Sequence, residues 1–421
     1  MRILFLPLGW VLAHTARCIE IAKVLRQRGH EVVFAGDDPR HPASRLSLVE
    51  QAGFRLVYAR EPDLPYAWER YKQHGWRAAA WDLAHLRQWA PLGKIIEGQL
   101  AVIERERPDL VVGDASVSAS TAAYIAGVPV AGIMNAYAAR LLTPRSPLYL
   151  AARGFDRISL SRFRRRVFHR HGVPEIDALA LLHAMPMLSP DLPGLYPMPA
   201  RFRDYHMVGP IFPDHPAPLP DWYDELDDGT PNVYITMGST GMFETFLKAV
   251  YPRLSTLPYR FIVTTGGQVS QDVIDAAPAN FRLTDYAPGS ALLAHCRAMI
   301  FHGGNGTFYQ ALAAGVPMLA LPSHYEQRLS AQIAVRHGVG LRMKARRFSV
   351  DRLVTSLTRL VEEPRFADAA ARLAPQVRDT DGAANAADIL ERIAREGRPA
   401  GICKPVSAAS RLVNGERATR L

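Results

Sequence analysis

The block from Ala298 to Leu321 constrains the fold of this chain more than any other part of the sequence. The apolar strand Ala298–Phe301 runs into a glycine-rich turn, helical spacing follows over Phe308–Ala314, and a second apolar strand covers Met318–Leu321. Strands this apolar are typical of a parallel sheet that is covered by helices on both faces. The block therefore predicts an α/β protein with a doubly wound sheet.

The turn itself reads His302-Gly303-Gly304-Asn305-Gly306-Thr307. A strand, a glycine-rich turn and a helix start together aim free backbone N–H groups and the positive end of a helix dipole at an anion. The turn indicates a diphosphate held at the start of the helix. Glycines at such a turn also serve as packing devices, so a buried βαβ turn without a ligand is the alternative.

The ordered string from Tyr286 to Gln327 resembles the donor-binding box of the UDP-glycosyltransferases. In that family a W-x-P-Q element opens the box, H-C-G-W-N-S or H-G-G-x-G-S/T cradles the diphosphate, and [DE]-Q closes it. The resemblance implies donor-binding roles for eleven residues of this chain: Ser239, Tyr286, Pro288, His302, Gly304, Asn305, Gly306, Thr307, Gln310, Glu326 and Gln327.

Three positions of the box depart from the family pattern. Tyr286 stands where the family has the tryptophan that stacks on the nucleobase, and Gly289 stands where it has glutamine. Gln310 replaces the glutamate that grips both ribose hydroxyls, and an amide has one acceptor oxygen where a carboxylate has two. The resemblance implies a nucleotide sugar, with UDP as the expected nucleotide and dTDP left open.

The N-terminus opens with a second βαβ pattern. Strand Arg2–Pro7 leads into a helix that Gly29 stops, and strand Glu31–Ala35 follows. Family members begin in the same way, with a G-H-x-x-P loop; here the residues are Ala13-His14-Thr15-Ala16-Arg17, with arginine in place of proline. By this resemblance His14 is the general base, a role that suits imidazole. A helix cap or a surface histidine is the alternative.

The partner of that base is expected just after the strand Leu110–Val112. The family pattern P-D-x-x-[IV]-x-D fits Pro108 to Asp114, with Asp109 and Asp114 at its two acidic positions. The resemblance implies that Asp114 orients His14 and stabilises its cation. The alternative is a capping aspartate for a helix that begins near Val117.

The Pro- and Asp-rich run from Phe212 to Pro231 predicts a linker between two domains. We expect an acceptor-binding domain at 1–212, a linker at 213–231, a donor-binding domain at 232–396 and a disordered tail at 397–421. The five prolines between His183 and Ala200 predict an extended surface path, and the last helix is expected to return to the first domain. The resemblance implies the GT-B architecture, in which two Rossmann-like domains face a cleft.

The formal net charge of +10 calls for an anionic partner or surface. Residues 152–171 hold seven arginines against one aspartate. A solvated helix face is one interpretation, and contact with acidic lipid or with an anionic acceptor is the other. Nucleic acid is not an expected partner, because no known binding module accompanies the charge.

The tryptophans and cysteines bear on the kind of acceptor and on the cellular compartment of the protein. Four of the six tryptophans lie between Tyr66 and Trp89, which suggests either core packing or an apolar acceptor pocket. Three cysteines without metal-binding spacing favour a reducing cytoplasm, with peripheral contact at the inner membrane face as an option. We expect no metal, and no cofactor besides the nucleotide-sugar co-substrate.

The combined prediction is an inverting, metal-independent glycosyltransferase that moves a hexose to a hydroxyl of a small-molecule or lipid-like acceptor. Two alternatives stay open. A membrane-associated transferase for a lipid-carrier acceptor would use residues 152–171 for docking. A nucleotide-sugar epimerase, which also uses two such domains, would convert the donor without any acceptor.

Overall fold

The computed structural model describes the chain except residues 42–43, 60–91, 115, 137–149, 151–160, 197–203, 214–217, 239–241, 324, 346–347 and 398–421. The chain divides into two compact units. The first unit comprises Met1–Pro190, Pro197–Val208 and Gly382–Leu421, and the second comprises Asp191–Tyr196 and Gly209–Asp381. The predicted tail and the tryptophan-rich segment lie largely outside the described residues.

A parallel sheet in the order β3-β2-β1-β4-β5-β6-β7 forms the centre of the first unit. Its strands are β1 (Arg2–Leu6), β2 (Glu31–Gly36), β3 (Arg55–Tyr58), β4 (Leu110–Asp114), β5 (Val130–Ile133), β6 (Met187–Ser189) and β7 (Tyr205–Met207). The helices are α1 (Leu12–Gln27), α2 (Ser47–Gln51), α3 (Leu92–Glu106), α4 (Val117–Ala126), α5 (Ser161–His171), α6 (Ala178–Ala184) and, from the C-terminal part of the chain, the helix Gly382–Glu396. The strands β1, β4 and β5 are buried along nearly their whole length, as the apolar sequence predicts.

The second unit has its own parallel sheet, in the order β10-β9-β8-β11-β12-β13. Its strands are β8 (Asn232–Thr236), β9 (Arg260–Thr264), β10 (Phe281–Thr284), β11 (Cys296–Phe301), β12 (Met318–Ala320) and β13 (Gly340–Arg342). A 3-10 helix at Tyr223–Asp227 precedes the helices α7 (Phe243–Leu254), α8 (Gln271–Asp275), α9 (Gly289–Leu293), α10 (Asn305–Ala313), α11 (Tyr325–Arg336), α12 (Val350–Glu362) and α13 (Pro364–Arg378). Two doubly wound parallel sheets confirm the predicted fold class.

The last helix, α14 (Gly382–Glu396), contacts α1, β4 and β5 and so belongs to the first unit. Glu391 on α14 lies 3.0 Å from His30 Nε2 and accepts a hydrogen bond from Arg28 at 3.4 Å. These contacts support the predicted return of the last helix to the first domain. The range 232–396 therefore overstates the donor domain at its C-terminal end.

The surface path predicted for residues 183–200 is wrong in its described part. Met187–Ser189 is a buried strand of the first sheet, and the segment that follows is buried in the second unit, with Asp191 1% and Leu192 4% exposed. Within the described residues of this proline-rich stretch, no helix continues past Ala184, and after the strand Met187–Ser189 the chain makes a turn at residues 194–195.

The basic helix α5 packs through Val167 and Phe168, both of which are buried. Its exposed Arg170 donates a hydrogen bond to Glu97 on α3 at 2.5 Å, and Arg165 donates one to Glu175 at 3.0 Å. Two arginines of the described part are thus paired within the first unit; residues 152–160 and the side chains of residues 161–164 lie outside the described part. No helix in the described ranges combines the length and apolarity needed to cross a bilayer.

Candidate active site

Both sheets have a point at which the strand order reverses, and the predicted site residues gather at these two points. The reversal lies between β1 and β4 in the first unit and between β8 and β11 in the second. Open α/β sheets bind ligands outside the carboxyl ends of their strands at such points. His14 follows β1 and Asp114 ends β4, while His302 follows β11 directly.

His14 and Asp114 are in direct contact, as the sequence predicts. His14 lies in the first turn of α1, and its Nδ1 is 2.5 Å from Asp114 Oδ1. The carboxylate is fully buried, whereas the histidine side chain is 17% exposed. An ionised carboxylate accepts hydrogen bonds but donates none, so Nδ1 carries the hydrogen. This arrangement leaves Nε2 of His14 as the nitrogen that can accept a proton.

Arg17, one turn further along α1, grips the same carboxylate with two nitrogens. Its Nε donates to Asp114 Oδ2 at 2.5 Å, its Nη2 donates to Oδ1, and its Nη1 donates to Asn135 Oδ1 at 2.7 Å. Nη2 also lies 2.9 Å from His14 Nδ1. Both of these nitrogens are donors here, so they converge on Asp114 and do not bond each other. A two-pronged clamp of this kind fixes the orientation of a carboxylate.

Burial raises the pKa of Asp114, but the charges and hydrogen bonds of Arg17 and His14 outweigh burial and lower the pKa to about 2. The carboxylate is therefore ionised at neutral pH. Burial, and after it the charge of Asp114, raises the pKa of the Cys18 thiol. The Cys18 thiol stays protonated and donates to Asp114 Oδ2 at 3.5 Å.

The lowered pKa of Asp114 predicts a pH-dependent loss of stability on Asp114→Asn. A carboxyl whose pKa falls from its unfolded value of about 3.9 to about 2 stabilises the folded state above pH ~4, and this contribution disappears as the pH falls toward ~2. We expect the wild type to exceed Asp114→Asn by at least ~2 kcal/mol in free energy of unfolding at pH 7, and the gap to narrow below pH ~4.

Urea unfolding of both proteins at stepped pH values from about 7 to about 3 measures this gap. Asp109→Asn is the matched control, because Asp109 is exposed and accepts a hydrogen bond from the Arg2 backbone at 2.7 Å. A gap for Asp114→Asn that does not change with pH would refute the assignment of an ionised, clamped carboxylate.

In the second unit, the His302 imidazole is confined between two glycines. A Cβ atom on Gly304 would collide with His302 Nε2, and a Cβ on Gly238, just after β8, would lie 2.7 Å from His302 Cε1. The ring thus fills the space at the reversal point between β8 and β11. Any side chain larger than hydrogen at these two positions would displace it.

Gly303 is required for a different reason. Its φ of +94° lies in the region that favours glycine, and a Cβ there would lie 2.7 Å from the backbone oxygen of Gln327. The turn therefore packs directly against the first turns of α11. This contact brings the cradle together with the closing Glu-Gln pair of the predicted box.

The helix α10 begins at Asn305 without a side-chain cap. Gly304 is its extended N-cap residue and offers no side-chain oxygen, so the N–H groups of the first turn stay available to an anion. Asn305, Gly306 and Thr307 form that first turn. The geometry suits the diphosphate cradle that the sequence predicts.

The opening of the box lies beside the same helix. Pro288 is the N-cap residue of α9, and the Tyr286 side chain is 53% exposed, which leaves its ring accessible to a partner. A Cβ on Gly289 would lie 3.1 Å from Gln310 Oε1, so the Gln310 amide sits against the α9 start. The structure thereby places Gln310 against the start of α9, next to Pro288.

The closing pair is described only in part. Gln327 is 3% exposed, and its Oε1 accepts hydrogen bonds from both the backbone N–H and the hydroxyl of Ser323 at 2.9 Å. This oxygen holds the loop after β12. The Glu326 side chain and the whole of Ser239 lie outside the described residues.

Sequence reasoning missed three buried residues at these sites: Arg17, Asn135 and Asp191. Arg17 was noted only as a replacement for proline, although its place one turn after His14 puts both on one helix face. Asn135 follows β5, and strand-end polar residues near a reversal point are a usable signal. Asp191 gave no signal, because its partners Asn305 and Tyr309 are more than a hundred residues away.

Comparison with known protein families supports the reading of the second unit. Residues 252–393 match the family described as "Erythromycin biosynthesis protein CIII-like, C-terminal domain". The full chain is similar to a "PGL/p-HBAD biosynthesis rhamnosyltransferase" of Mycobacterium bovis (strain BCG / Pasteur 1173P2), with 29% identity. That alignment covers 94% of this chain and 89% of the relative.

Solved structures show the same fold. The glycosyltransferase SnogD from Streptomyces nogalater aligns with a TM-score of 0.69 at 24% identity, covering 93% of this chain and 99% of SnogD. The glycosyltransferase VinC in complex with DTDP aligns with a TM-score of 0.71 at 22% identity, covering 94% of this chain and 100% of VinC. The similarity extends over both units, which confirms the GT-B fold.

Proposed function

This chain is a glycosyltransferase with the GT-B fold, and we propose that it transfers a hexose, with inversion, from a nucleoside-diphosphate sugar to a hydroxyl of a small or lipid-like acceptor. The observation that carries this proposal is the buried cluster of His14, Asp114 and Arg17 at the carboxyl ends of β1 and β4. It leaves one imidazole nitrogen ready to accept a proton.

In the proposed step, His14 Nε2 takes the proton of the acceptor hydroxyl as its oxygen bonds to the anomeric carbon. The bond between that carbon and the diphosphate oxygen breaks, and the electron pair leaves with the nucleoside diphosphate. Attack from the face opposite the leaving group inverts the configuration. Asp114 stabilises the imidazolium and holds the ring, as the acid does in a Ser-His-Asp triad.

Arg17 adds a cation to the pair formed by His14 and Asp114. Its cation compensates the charge of the buried Asp114, and its Nε and Nη2 donate to both carboxylate oxygens. Arg17 thereby fixes the carboxylate in place.

The second unit supplies the leaving-group site in this proposal. The uncapped start of α10 offers backbone N–H groups to the diphosphate, and His302 fills the reversal point beside it. Charge that develops on the departing phosphate is then stabilised without a metal ion. Ser239 and Glu326 are proposed to bond the phosphate and the sugar hydroxyls, as the family resemblance implies.

The donor nucleotide is proposed to be UDP or dTDP. UDP is the expectation from the family resemblance, and two observations favour including dTDP. Gln310 replaces the glutamate of the UDP pattern, and VinC, which shares the fold, binds DTDP. The mycobacterial relative is named a rhamnosyltransferase, which supports a deoxyhexose among the candidate sugars.

The acceptor is proposed to be apolar or ring-containing. The relative's name, with its "PGL/p-HBAD biosynthesis", supports an acceptor of biosynthetic origin over the epimerase alternative, which needs none. Peripheral membrane contact through residues 152–171, and with it the lipid-carrier acceptor, stays a prediction, as does a cytoplasmic location. The pairing of Arg165 and Arg170 with glutamates favours the solvated-face interpretation for that part of α5.

Release of nucleoside diphosphate from a panel of UDP- and dTDP-sugars tests the function. The panel is run with EDTA present, against a pool of phenolic, sterol, carotenoid and lipid alcohols. We expect release that depends on the acceptor, is unaffected by EDTA and is confined to one nucleotide. Activity that EDTA abolishes and Mn²⁺ restores would contradict the metal-independent mechanism.

A further inference from the structure

The proposed reaction does not use Asp191, a buried acid that lies against the donor box. We propose that Asp191 is a positioning residue that holds the first turn of α10 in the geometry that binds a nucleoside diphosphate. This inference rests on the proposed donor site. It concerns the segment Asp191–Tyr196, which we call the donor strap and which lies in the second unit, although the chain on either side of it belongs to the first.

The Asp191 carboxylate spans the first turn of α10. Its Oδ1 accepts a hydrogen bond from Asn305 Nδ2 at 3.1 Å and one from the Tyr309 hydroxyl at 3.2 Å. Asn305 is the first residue of the helix and Tyr309 lies one turn later. Asp191 and Tyr309 are each 1% exposed, so the hydrogen bond between them is shielded from water, whereas the one from Asn305 is partly buried. One carboxylate oxygen therefore ties together both ends of the diphosphate-binding turn.

Tyr309 connects the strap to the helix a second time. Its hydroxyl accepts a hydrogen bond from the Leu192 backbone N–H at 2.9 Å while donating to Asp191. Burial, and after it the charge of Asp191, raises the pKa of Tyr309, so the hydroxyl keeps its proton and remains a donor. The phenol thus occupies a fixed place between strap and helix.

The far end of the strap touches the other donor-box helix. The Tyr196 hydroxyl lies 3.4 Å from Ser330 Oγ on α11, the helix that carries Glu326-Gln327. The Asp191 carbonyl also accepts a hydrogen bond from Gly209 N–H at 3.1 Å. The six-residue donor strap thus contacts both α10 and α11, the two helices of the donor box. These contacts allow the strap to set the position of one helix relative to the other.

The Asp191 carboxylate can affect nucleotide binding in two opposite directions. The positive end of the α10 dipole favours a carboxylate near its first turn. A diphosphate bound at the same turn would be repelled by that carboxylate. If Asp191 acts by positioning, its removal weakens nucleotide binding; if repulsion dominates, removal of its charge tightens binding.

Calorimetric titration of the full chain with UDP and with dTDP distinguishes these cases. The variants are Asp191→Ala, Asp191→Asn and Tyr309→Phe. Tyr251→Phe is the matched control, because its hydroxyl donates to the Val273 carbonyl at 3.2 Å and is also buried, on α7 and outside the donor box. Circular dichroism and melting temperatures accompany each titration.

We expect Asp191→Ala to raise the Kd of the bound nucleotide about tenfold, since it leaves buried polar partners unsatisfied, with smaller increases for Asp191→Asn and Tyr309→Phe. Tyr251→Phe should lower the melting temperature without changing the Kd. In transfer assays of Asp191→Ala, the KM for the donor should rise while kcat stays near that of the wild type.

Two results overturn the inference. Unchanged or tighter binding by Asp191→Asn and Tyr309→Phe would refute positioning by Asp191 while leaving the donor site intact. Failure of the wild type to bind either nucleotide would refute the donor site itself, and the inference with it. Should Asp191→Ala fail to fold, the other two variants decide the question.

Discussion

Replacement of His14 by alanine is expected to abolish acceptor-dependent release of nucleoside diphosphate, with a loss of about 10²- to 10⁴-fold in kcat. The reason is chemical. Nε2 of His14 is the atom left to take the acceptor proton, because Nδ1 is committed to Asp114 at 2.5 Å. Without the imidazole, the acceptor hydroxyl must attack while it still carries its proton.

The binding of UDP or dTDP should survive His14→Ala, since the proposed nucleotide site lies in the second unit. His30→Ala is the matched control: His30 belongs to the same unit and contacts Glu391 at 3.0 Å, but it has no role in the proposed reaction. We expect His30→Ala to lower the melting temperature and to retain transfer. Full activity in His14→Ala would contradict the assignment of the base.

Substitution of Gly304 by alanine is expected to eliminate nucleotide binding, with an increase in Kd of at least about 100-fold. The added Cβ collides with His302 Nε2, and the other side of the ring already lies close to Gly238, where a Cβ would be 2.7 Å from Cε1. The clash therefore opens the cradle at the start of α10. Titration with UDP and dTDP measures the loss.

Gly306→Ala is the control within the same motif. Gly306 lies in the first turn of α10, is exposed, and a Cβ there meets no protein atom within 4 Å. Alanine in a helix is more favourable than glycine by roughly 0.5–1 kcal/mol, so the melting temperature of Gly306→Ala should not fall. Nucleotide binding by Gly304→Ala that equals that of the wild type would refute the steric argument for Gly304.

The apolar pattern of the sequence was sufficient to predict most of the sheet framework. The predicted strands Arg2–Pro7, Glu31–Ala35 and Met318–Leu321 start at the observed residues and end within one residue of the observed bounds. The starts of helices were predicted less accurately than strands. Helix α10 begins at Asn305, three residues before the predicted Phe308, because the end of the glycine-containing turn is itself helical. Strand β10 (Phe281–Thr284) was missed, since four residues of mixed polarity at a sheet edge give no clear periodicity.

The candidate site could be predicted as far as local motifs extend. His14 and Asp114 were expected from two separate motifs, and the parallel sheet brings their strands side by side. The contact of Arg17 with Asp114 could not be predicted from the sequence. It depends on the rotamers of Arg17, Asp114 and Asn135, which are buried together. Asp191 was misplaced on the surface, because its proline-rich surroundings conceal that its carboxylate packs on α10.

The measurement that tests the central claim most directly is the anomeric configuration of the product, determined by proton NMR together with the ratio of glycoside formed to nucleoside diphosphate released. We predict one glycoside per nucleoside diphosphate, with the configuration opposite to that of the donor, and no conversion without acceptor. A product that retains the donor configuration, or a donor converted in the absence of acceptor, would contradict single-displacement transfer by His14.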